Sequence, residues 1–270
     1  MDKIKIVAEV GWNFLGDMKL AERMIVEAAK AGADCVKFQT WKVDRLVPGP
    51  WDSDGRREIY EKAELSSNDH YYLKSVCDSE NVQFLTSCFS SKDLEFVRGL
   101  MNEVKIPSPE SSNTDLVIRA LSLFDHIYLS TGASAFSEWE RWLSYDKITP
   151  LHCVSSYPCE PANFHYIKFD FIRRFCQKQG KDFGFSGHYP GIWDAVYAIS
   201  RGASVIEKHF TVDHELPGRD NKFAILPHEL ASLREYADCV DQIKEPHSMY
   251  EALECEREYR KYHKGRWDGE

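Results

Sequence analysis

The fold is decided by Ala31-Gly32-Ala33-Asp34-Cys35-Val36-Lys37-Phe38-Gln39-Thr40. A helical pattern over 17–31 precedes Gly32, which ends it, and the apolar run over 35–39 predicts a buried strand. The junction recurs as Arg201-Gly202-Ala203, which leads from a second helical pattern into an apolar run over 205–210. Helices that alternate with buried strands in this way predict a parallel sheet.

The same unit repeats along the chain. Apolar runs predict eight strands, at 4–9, 35–39, 83–86, 103–106, 126–130, 150–154, 184–186 and 205–210. Helical spacing predicts eight helices, at 17–31, 67–80, 91–101, 113–122, 135–144, 165–179, 191–201 and 227–243. Eight such units in 270 residues predict an α/β fold of the (β/α)8 TIM-barrel class. An open, doubly wound sheet is the alternative, but Gly11-Trp12-Asn13-Phe14-Leu15-Gly16 matches its glycine-rich phosphate loop poorly.

The expected organisation is one barrel domain followed by a tail. The barrel is expected over 1–243 and a charged C-terminal tail over 244–270, with a helical stretch at about 248–263. Residues 41–66 are predicted to form a long loop, because the segment is rich in proline and glycine. A loop of this length in a compact barrel favours a lid over the site, with an ordinary surface excursion as the alternative.

Composition places the chain among ordinary globular proteins. It is 43% hydrophobic and carries a formal charge of −9, which argues against a general nucleic-acid binder. No apolar run is long enough to span a membrane, and the N-terminal sequence lacks the pattern of a signal peptide. Eight cysteines without a Cys-x-x-Cys pair predict buried free thiols, a reducing compartment and therefore a cytoplasmic protein.

A polar side chain lies at the end of every predicted strand. In a parallel barrel these strand ends meet at one face, where active sites lie. Solvation alone does not explain the set, because strands covered by helices are otherwise apolar. In chain order the residues are Glu9; Lys37 and Gln39; Ser87; Lys105, Ser108 and Glu110; Ser130 and Thr131; Ser155 and Tyr157; Ser186 and His188; and Glu207 and His209.

The residue types in this set indicate an anion site beside a metal site. Lys37 and Lys105, among serine hydroxyls, suit a phosphate or a carboxylate. His188 and His209 end neighbouring strands and predict a divalent-metal site that leaves positions for water and substrate. Hydrogen-bonded structural histidines are the alternative. The carboxylates left for proton transfer or for ion pairs are Glu9 and Glu110.

Eight short motifs occur in order at one end of the predicted strands. They are Ala8-Glu9-Val10-Gly11-Trp12-Asn13; Ala31-Gly32-Ala33-Asp34-Cys35-Val36-Lys37-Phe38-Gln39-Thr40; Lys105-Ile106-Pro107-Ser108-Pro109-Glu110; Leu129-Ser130-Thr131-Gly132; Leu151-His152-Cys153-Val154-Ser155-Ser156-Tyr157-Pro158; Phe185-Ser186-Gly187-His188; Ile206-Glu207-Lys208-His209-Phe210-Thr211; and Pro217-Gly218-Arg219-Asp220-Asn221-Lys222. Together, over about residues 3–243, they resemble the barrel domain of the sialic acid (N-acetylneuraminate) synthase family, which includes legionaminate and pseudaminate synthases.

This resemblance implies a transferase that condenses phosphoenolpyruvate with an acylated amino sugar and releases phosphate. It implies a divalent metal, manganese or magnesium, on His188 and His209, and a role for Glu110 in handling water. Phosphoenolpyruvate would be held by Lys37, Ser87, Lys105, Ser108, Ser130 and Ser186. The sugar would meet Glu9, Gln39, Tyr157 and Asp220, with Ser155 in place of a family asparagine. The catalytic set would be Glu110, Glu9 and Lys105.

Several positions depart from the family pattern, and most of them bear on the sugar. The family carries a C-terminal antifreeze-like (SAF) domain that reaches across a dimer, and 244–270 are not expected to form such a domain. The substituted positions are Phe14 for a histidine, Gly187 for an aspartate, Pro107 and Pro109 for small residues, and Ser155.

The sequence therefore does not identify the acceptor sugar. The candidates are an N-acyl mannosamine-type hexose, a modified diamino sugar and an unacylated aldose. A phosphorylated aldose would need a second basic cluster, for which Arg56-Arg57 is the candidate. A non-catalytic paralogue that binds a sugar or a partner is the alternative class. Resemblance also implies a homodimer, with the tail residues Tyr250, Leu253, Tyr259 and Tyr262 at its interface or packed on their own barrel.

Overall fold

Eight parallel strands close into a barrel in the computed structural model, which describes residues 3–244 and 248–267. The predicted TIM barrel is confirmed, and every predicted strand bound lies within two residues of an observed one. Each strand pairs with its sequence neighbours, and β8 pairs with β1. The strands are β1 (Lys5–Gly11), β2 (Cys35–Thr40), β3 (Gln83–Cys88), β4 (Glu103–Ile106), β5 (His126–Ser130), β6 (Ile148–Cys153), β7 (Gly184–Gly187) and β8 (Val205–His209).

Helices connect the strands and cover the barrel. The helices are α1 (Met18–Lys30), α2 (Arg56–Ala63), α3 (Ser67–Ser79), α4 (Leu94–Arg98), α5 (Thr114–Leu123), α6 (Phe136–Trp139), α7 (Tyr166–Gln179), α8 (Trp193–Ser200), α9 (Pro227–Ile243) and α10 (Arg257–His263). Two predicted helices are shorter than expected, since α4 and α6 share their predicted ranges with 3-10 segments at 91–93 and 140–144.

The segment 41–66, predicted as a long loop, contains α2. Gly55 adopts a φ of 84°, which lets the chain turn into the helix at Arg56. Beyond the helix, the Glu64 carboxylate accepts a hydrogen bond from Lys42 Nζ at 2.8 Å and another from the Val43 backbone N–H at 2.8 Å. These contacts join distant parts of the segment and form only in the folded chain. The sequence, which shows prolines and glycines here, therefore does not predict the helix.

The tail contains less helix than the sequence predicts. Within 248–263 the helix α10 spans Arg257–His263, after a single 3-10 turn at Glu254–Glu256. Every residue described from 248 to 267 is exposed, including Tyr259 at 69% and Tyr262 at 63%. These residues therefore do not pack against the barrel.

Inside the barrel an apolar layer supports a polar one. Successive side chains on a strand point to opposite faces, so residues two apart face the same way. The apolar layer consists of Val7, Cys35, Leu85, Tyr128, Leu151 and Val205. Two positions further along the same strands lie Glu9, Lys37, Ser87, Ser130, Cys153 and Glu207. The polar strand ends thus stand on a packed hydrophobic floor.

Most cysteines behave as the composition predicts. All eight are free, and the six buried ones are Cys35, Cys77, Cys88, Cys153, Cys159 and Cys176. The two on the surface are Cys239 and Cys255. No helix among the described residues has the length and apolar character needed to cross a membrane.

The two glycine junctions give a matched test of the fold. Gly32 and Gly202 have φ values of +90° and +95°, so alanine at either costs about 1–2 kcal/mol in backbone strain. At Gly32 an added Cβ would also lie 2.7 Å from Cγ of the buried Arg234, whereas at Gly202 its nearest neighbour is Gln177 at 3.7 Å. Gly32→Ala is therefore expected to destabilise the fold by about 1–3 kcal/mol more than Gly202→Ala.

The midpoint of urea-induced unfolding is measured for each variant by circular dichroism. Arg234 Nη1 donates to the backbone oxygen of Ile4 at 2.8 Å, so its displacement also loosens the first strand. Equal midpoints for the two variants would contradict this packing.

Candidate active site

A cavity of about 730 Å³ opens at the C-terminal ends of the strands. All eight strands contribute a lining residue, as a shared site at the strand ends requires. The predicted site residues that line it are Glu9, Lys37, Gln39, Ser87, Lys105, Ser108, Glu110, Ser130, Tyr157, Ser186, His188, His209 and Asp220. The structure thus brings together thirteen side chains that lie up to 211 positions apart in the chain.

Two of the expected strand-end residues do not line this cavity, Thr131 and Ser155. Ser155 belongs to the loop after β6. It lies behind the wall, where a Cβ added to Gly132 would come within 2.5 Å of its Oγ and within 2.7 Å of Ser108 Oγ. Gly132 therefore lets the two serines approach each other. The substrate contact expected for Ser155 stays a prediction.

Two lysines and two carboxylates form a buried ionic cluster in the cavity. Lys37 Nζ contacts the Glu9 carboxylate and lies 3.8 Å from Glu207 Oε2. Lys105 Nζ lies 3.4 Å from Glu207 Oε1. None of the four side chains is more than 7% exposed. Buried charges are costly unless they are paired, so the two lysines depend on these carboxylates.

Serine hydroxyls complete the cluster. Lys37 Nζ donates to Ser87 Oγ at 2.7 Å, and Lys105 Nζ donates to Ser130 Oγ at 2.7 Å. Because each serine accepts from an ammonium group, its own hydroxyl proton is left to donate to a further acceptor. Ser186 Oγ already uses its proton in this way, donating to Glu207 Oε1 at 2.9 Å.

Burial affects the two carboxyl groups differently. It raises the pKa of Glu9, which the contact with Lys37 does not reverse. It acts on Glu207 in the same direction, but the charges of Lys105 and Lys37 outweigh it and lower the pKa of Glu207. The pKa values of the two carboxyl groups are thus shifted in opposite directions, and Glu9 is protonated more easily than Glu207.

Burial also affects the pKa values of the two lysines. It lowers the pKa of Lys105, whereas at Lys37 the carboxylates of Glu207 and Glu9 outweigh burial and raise the pKa. An anion placed beside Lys105 would favour its charged form. The cluster is thus suited to hold a ligand with more than one negative group.

Two imidazoles lie side by side at the ends of β7 and β8. The ring centroids of His188 and His209 are 5.3 Å apart. Burial lowers the pKa of both rings, that of His188 to about 4, so both are neutral near pH 7. His188 Nδ1 donates to the Val154 backbone oxygen at 2.8 Å, which leaves the Nε2 lone pair for a ligand.

His209 has the feature expected of a ligand residue. Its Nδ1 is buried and has no hydrogen-bond partner among the described residues, and it lies 3.5 Å from Asp220 Oδ2. Burial raises the pKa of Asp220 to about 7, although Trp12 Nε1 donates to its Oδ2 at 2.6 Å. The described residues contain no group of three or more His, Cys, Asp or Glu side chains placed to hold a metal. The imidazole pair is therefore the candidate centre.

The outer wall of the cavity is aromatic. Trp12 lies 5.1 Å from Tyr60 and 6.4 Å from Trp41 between ring centroids, and Trp41 lies 5.8 Å from Phe89. Tyr60 belongs to α2, so the helix that sequence reasoning missed supplies part of the wall. The segment 41–66 thus borders the cavity, where the predicted lid would lie.

The four cations at the cavity mouth share three carboxylates. Arg45 Nη2 pairs with Asp93 at 2.7 and 2.8 Å, and Arg56 Nη2 pairs with Asp54 at 2.7 Å. Arg219 Nη2 lies 4.0 Å from the same Asp54. Lys42 Nζ pairs with Glu64 at 2.8 Å. Arg57, the second arginine of the predicted basic cluster, pairs with Asp52 and does not line the cavity.

Sequence reasoning gave no role to several residues of the site. Glu207 stands among the polar strand ends, and its spacing of two from His209 places both on the same face of β8. That alternation is the signal that could have identified it. Trp12, Trp41, Tyr60 and Phe89 carry no such signal, because they come from separate loops and from α2.

Comparison with known proteins gives the same family that the motifs resemble. The NeuB family model matches residues 24–247. N,N'-diacetyllegionaminic acid synthase of Campylobacter jejuni is 34% identical over 257 residues, which are 86% of this chain and 75% of that protein. N-acetylneuraminate-9-phosphate synthase of Drosophila melanogaster is 31% identical over 86% of this chain and 67% of its own length.

A solved structure agrees with these matches. The crystal structure of N-acetylneuraminic acid (sialic acid) synthetase from Leptospira borgpetersenii, in complex with citrate, aligns with a TM-score of 0.84 at 29% identity. The alignment covers 97% of this chain and 92% of that one. By its sequence matches and its fold, the chain belongs to the NeuB family.

Proposed function

We propose that this protein condenses phosphoenolpyruvate with an aldose of the amino-sugar type and water. The products are a 3-deoxy-2-keto sugar acid of the nonulosonic, sialic-acid-like class and inorganic phosphate. The observation that carries the proposal is the buried pair Lys37 and Lys105 in a cavity with room for a second substrate. The relatives named as synthases of legionaminic and neuraminic acids support the same reaction class.

The ionic cluster would hold phosphoenolpyruvate. Its phosphate and carboxylate would take over from Glu9 and Glu207 as partners of the two lysines. Ser87 and Ser130 would donate their remaining hydroxyl protons to the same anion. The further residues proposed for this half of the site are Ser108 and Ser186, which line the cavity. Fixed positive charge in a dry pocket would also stabilise the charge that develops on the departing phosphate.

The proposed reaction makes one carbon–carbon bond and breaks one carbon–oxygen bond. Carbon 3 of phosphoenolpyruvate attacks the aldehyde carbon, and the aldehyde oxygen takes up a proton. Water adds to carbon 2, and the tetrahedral carbon then expels phosphate by carbon–oxygen cleavage to leave the keto group. Overall, phosphoenolpyruvate, aldose and water give the sugar acid and phosphate.

Two carboxyl groups would move the protons. Burial favours the protonated form of Glu9, which suits a donor to the aldehyde oxygen. Glu110 lines the cavity, and its Oε2 accepts a hydrogen bond from Asn113 Nδ2 at 2.8 Å. It is thus oriented to accept a proton from the attacking water. Gln39 donates to Glu9 Oε1 at 2.6 Å and would meet the sugar together with Tyr157 and Asp220.

His188 and His209 fit a divalent metal, manganese or magnesium. Both rings are neutral, so each offers one nitrogen lone pair to a cation, and Nδ1 of His209 is buried without a hydrogen-bond partner among the described residues. When bound, the metal would supply Lewis-acid polarisation of the acceptor aldehyde. The Tyr157 ring lies 4.1 Å from the His188 ring between centroids and helps to hold that imidazole in place.

The cavity mouth favours an uncharged, N-acylated acceptor. Its four cations share three carboxylates, so the mouth carries little excess positive charge for a sugar phosphate. The aromatic wall of Trp12, Trp41, Tyr60 and Phe89 suits acyl and deoxy groups, which are apolar. This contrasts with the phosphorylated product in the name of the Drosophila relative.

We also propose that the protein is located in the cytoplasm and forms a homodimer. Six buried free thiols suit a reducing compartment. The exposed aromatic residues of the tail, Tyr259 and Tyr262 among them, offer apolar surface for a second copy.

A phosphate-release assay tests the proposed function. The protein is supplied with phosphoenolpyruvate, manganese and, in turn, N-acetylmannosamine, a diacetamido-trideoxyhexose, an unacylated aldose and a hexosamine phosphate. Release is expected with an N-acylated neutral sugar, together with a product whose mass is that of the sugar acid. Lys105→Met is expected to abolish release, whereas Lys30→Met, at an exposed surface lysine, is expected to leave it unchanged.

Release with the hexosamine phosphate alone would contradict the neutral acceptor. Asp54→Asn frees Arg56 and Arg219 and is expected to improve use of that phosphorylated sugar. The proposed reaction is wrong if no acceptor gives release while manganese is bound, an outcome that favours a non-catalytic binder.

Manganese binding, measured by electron paramagnetic resonance without substrate, tests the imidazole pair. His188→Ala or His209→Ala is expected to weaken binding at least about 10-fold and to abolish metal-dependent turnover. His228→Ala, at an exposed histidine of α9, serves as the control and should bind manganese normally. Unchanged binding in both His188→Ala and His209→Ala would show that this pair does not bind the metal.

A further inference from the structure

A second cavity, of about 320 Å³, lies behind the active site. It is outside the barrel, between the outer faces of β6 and β7 and the helices α7 and α8. Ser186 and His188 line both cavities, so the end of β7 is the wall between them. A cavity of this size lies at the small end of the range for ligand pockets.

The walls of this second cavity are aromatic. Phe164 and Phe185 stack with ring centroids 5.4 Å apart, and Tyr197 meets Phe164 edge-on at 5.3 Å. His152 stacks on Phe185 at 6.0 Å. Trp193 is also a lining residue and is 71% exposed, so it stands at the opening. The arrangement suits a flat ring system, because aromatic rings pack best by stacked and edge-to-face contacts.

One buried polar atom in this wall lacks a partner. His152 is fully buried, and its Nε2 donates to the Phe164 backbone oxygen at 2.7 Å. Burial lowers the pKa of His152 to about 4, so the ring is neutral and its Nδ1 is a lone-pair acceptor. That Nδ1 has no hydrogen-bond partner among the described residues. Leaving an acceptor buried and unsatisfied costs about 1–3 kcal/mol. The atom is closed off from the empty cavity, so a donor on a ligand would reach it and recover this energy only after the surrounding rings shift.

The cavity has no uncompensated buried charge. Asp194 lines it, but both carboxylate oxygens accept hydrogen bonds from Lys208 Nζ, at 2.9 and 3.0 Å. Lys208 Nζ also donates to the Tyr189 backbone oxygen at 2.8 Å. Glu160, the other carboxylate in the lining, is exposed to solvent. An ionised ligand would therefore lose its hydration here without gaining a buried partner of opposite charge.

We infer that this cavity is a second binding site, for a small uncharged aromatic molecule that carries one N–H or O–H donor. The rings of Phe164, Phe185 and Tyr197 hold the aromatic system, and His152 Nδ1 accepts the donor. Trp193 covers the opening. The site is separate from the proposed substrate site and shares with it the end of β7.

Indole and indene form the test pair, because they have nearly the same shape and indene lacks the N–H. Binding is measured by ligand-observed NMR on the full chain, without phosphoenolpyruvate, sugar or metal. Wild-type protein is expected to bind indole about 10-fold more tightly than indene, from one hydrogen bond to a buried acceptor. The result does not depend on the proposed reaction, so either can fail alone.

Two variants locate the site, and a third tests its acceptor. Trp193→Ala, at an exposed position, is expected to weaken binding of both probes without affecting folding. Tyr60→Ala, in the wall of the active-site cavity, is expected to leave both unchanged. His152→Phe keeps a ring against Phe185 but removes the acceptor, and it should abolish the preference for indole.

Three outcomes would overturn the inference. They are equal affinity of the wild type for the two probes, no binding of either up to about 1 mM, and loss of binding in Tyr60→Ala but not in Trp193→Ala. All three remain readable even if His152→Phe fails to fold.

Discussion

Glu207, held between Lys37 and Lys105, is the contact on which the rest of the site depends. Two ammonium groups inside a barrel remain charged only where carboxylates lie within a few ångströms, because burial alone would drive off their protons. Glu207 lies 3.8 Å from one lysine and 3.4 Å from the other, and Ser186 holds it in place. Glu9 supplies the second carboxyl and is the one that burial protonates more easily. The cluster is therefore stable when empty and still attracts an anion.

The rest of the cavity is arranged around this ionic cluster. The neutral imidazoles stand at its edge, where the lysines and the low-dielectric surroundings disfavour their protonation. Towards solvent the charges are paired and the walls turn aromatic, so the cavity changes from anion-binding to apolar along its depth. Such a gradient matches two substrates of different character, an anionic phosphoenolpyruvate inside and a neutral acylated sugar outside. The second cavity shows the same preference for aromatic walls on the far side of β7.

Much of this could be predicted from the sequence, because the barrel repeats one simple pattern. Gly32 and Gly202 marked the junctions, and the polar residues at the ends of apolar runs marked Glu9, Lys37 and His209 as members of a shared site. What the sequence could not reveal depends on distant contacts. The helix α2 is tied by Glu64 to Lys42 and Val43, the aromatic wall joins separate loops, and Ser155 is turned behind Gly132 by local packing. Glu207 was visible as a polar strand end, but its role depends on two lysines from other strands.

The most direct test of the central claim follows the bridging oxygen of phosphoenolpyruvate. Substrate labelled with ¹⁸O at that oxygen is turned over with the preferred acceptor, and the released phosphate is examined by ³¹P NMR. If the ionic cluster stabilises the phosphate that departs by carbon–oxygen cleavage, the label appears in inorganic phosphate. Label retained at the keto carbon of the sugar acid, before exchange with water, would mean phosphorus–oxygen cleavage and would contradict the account.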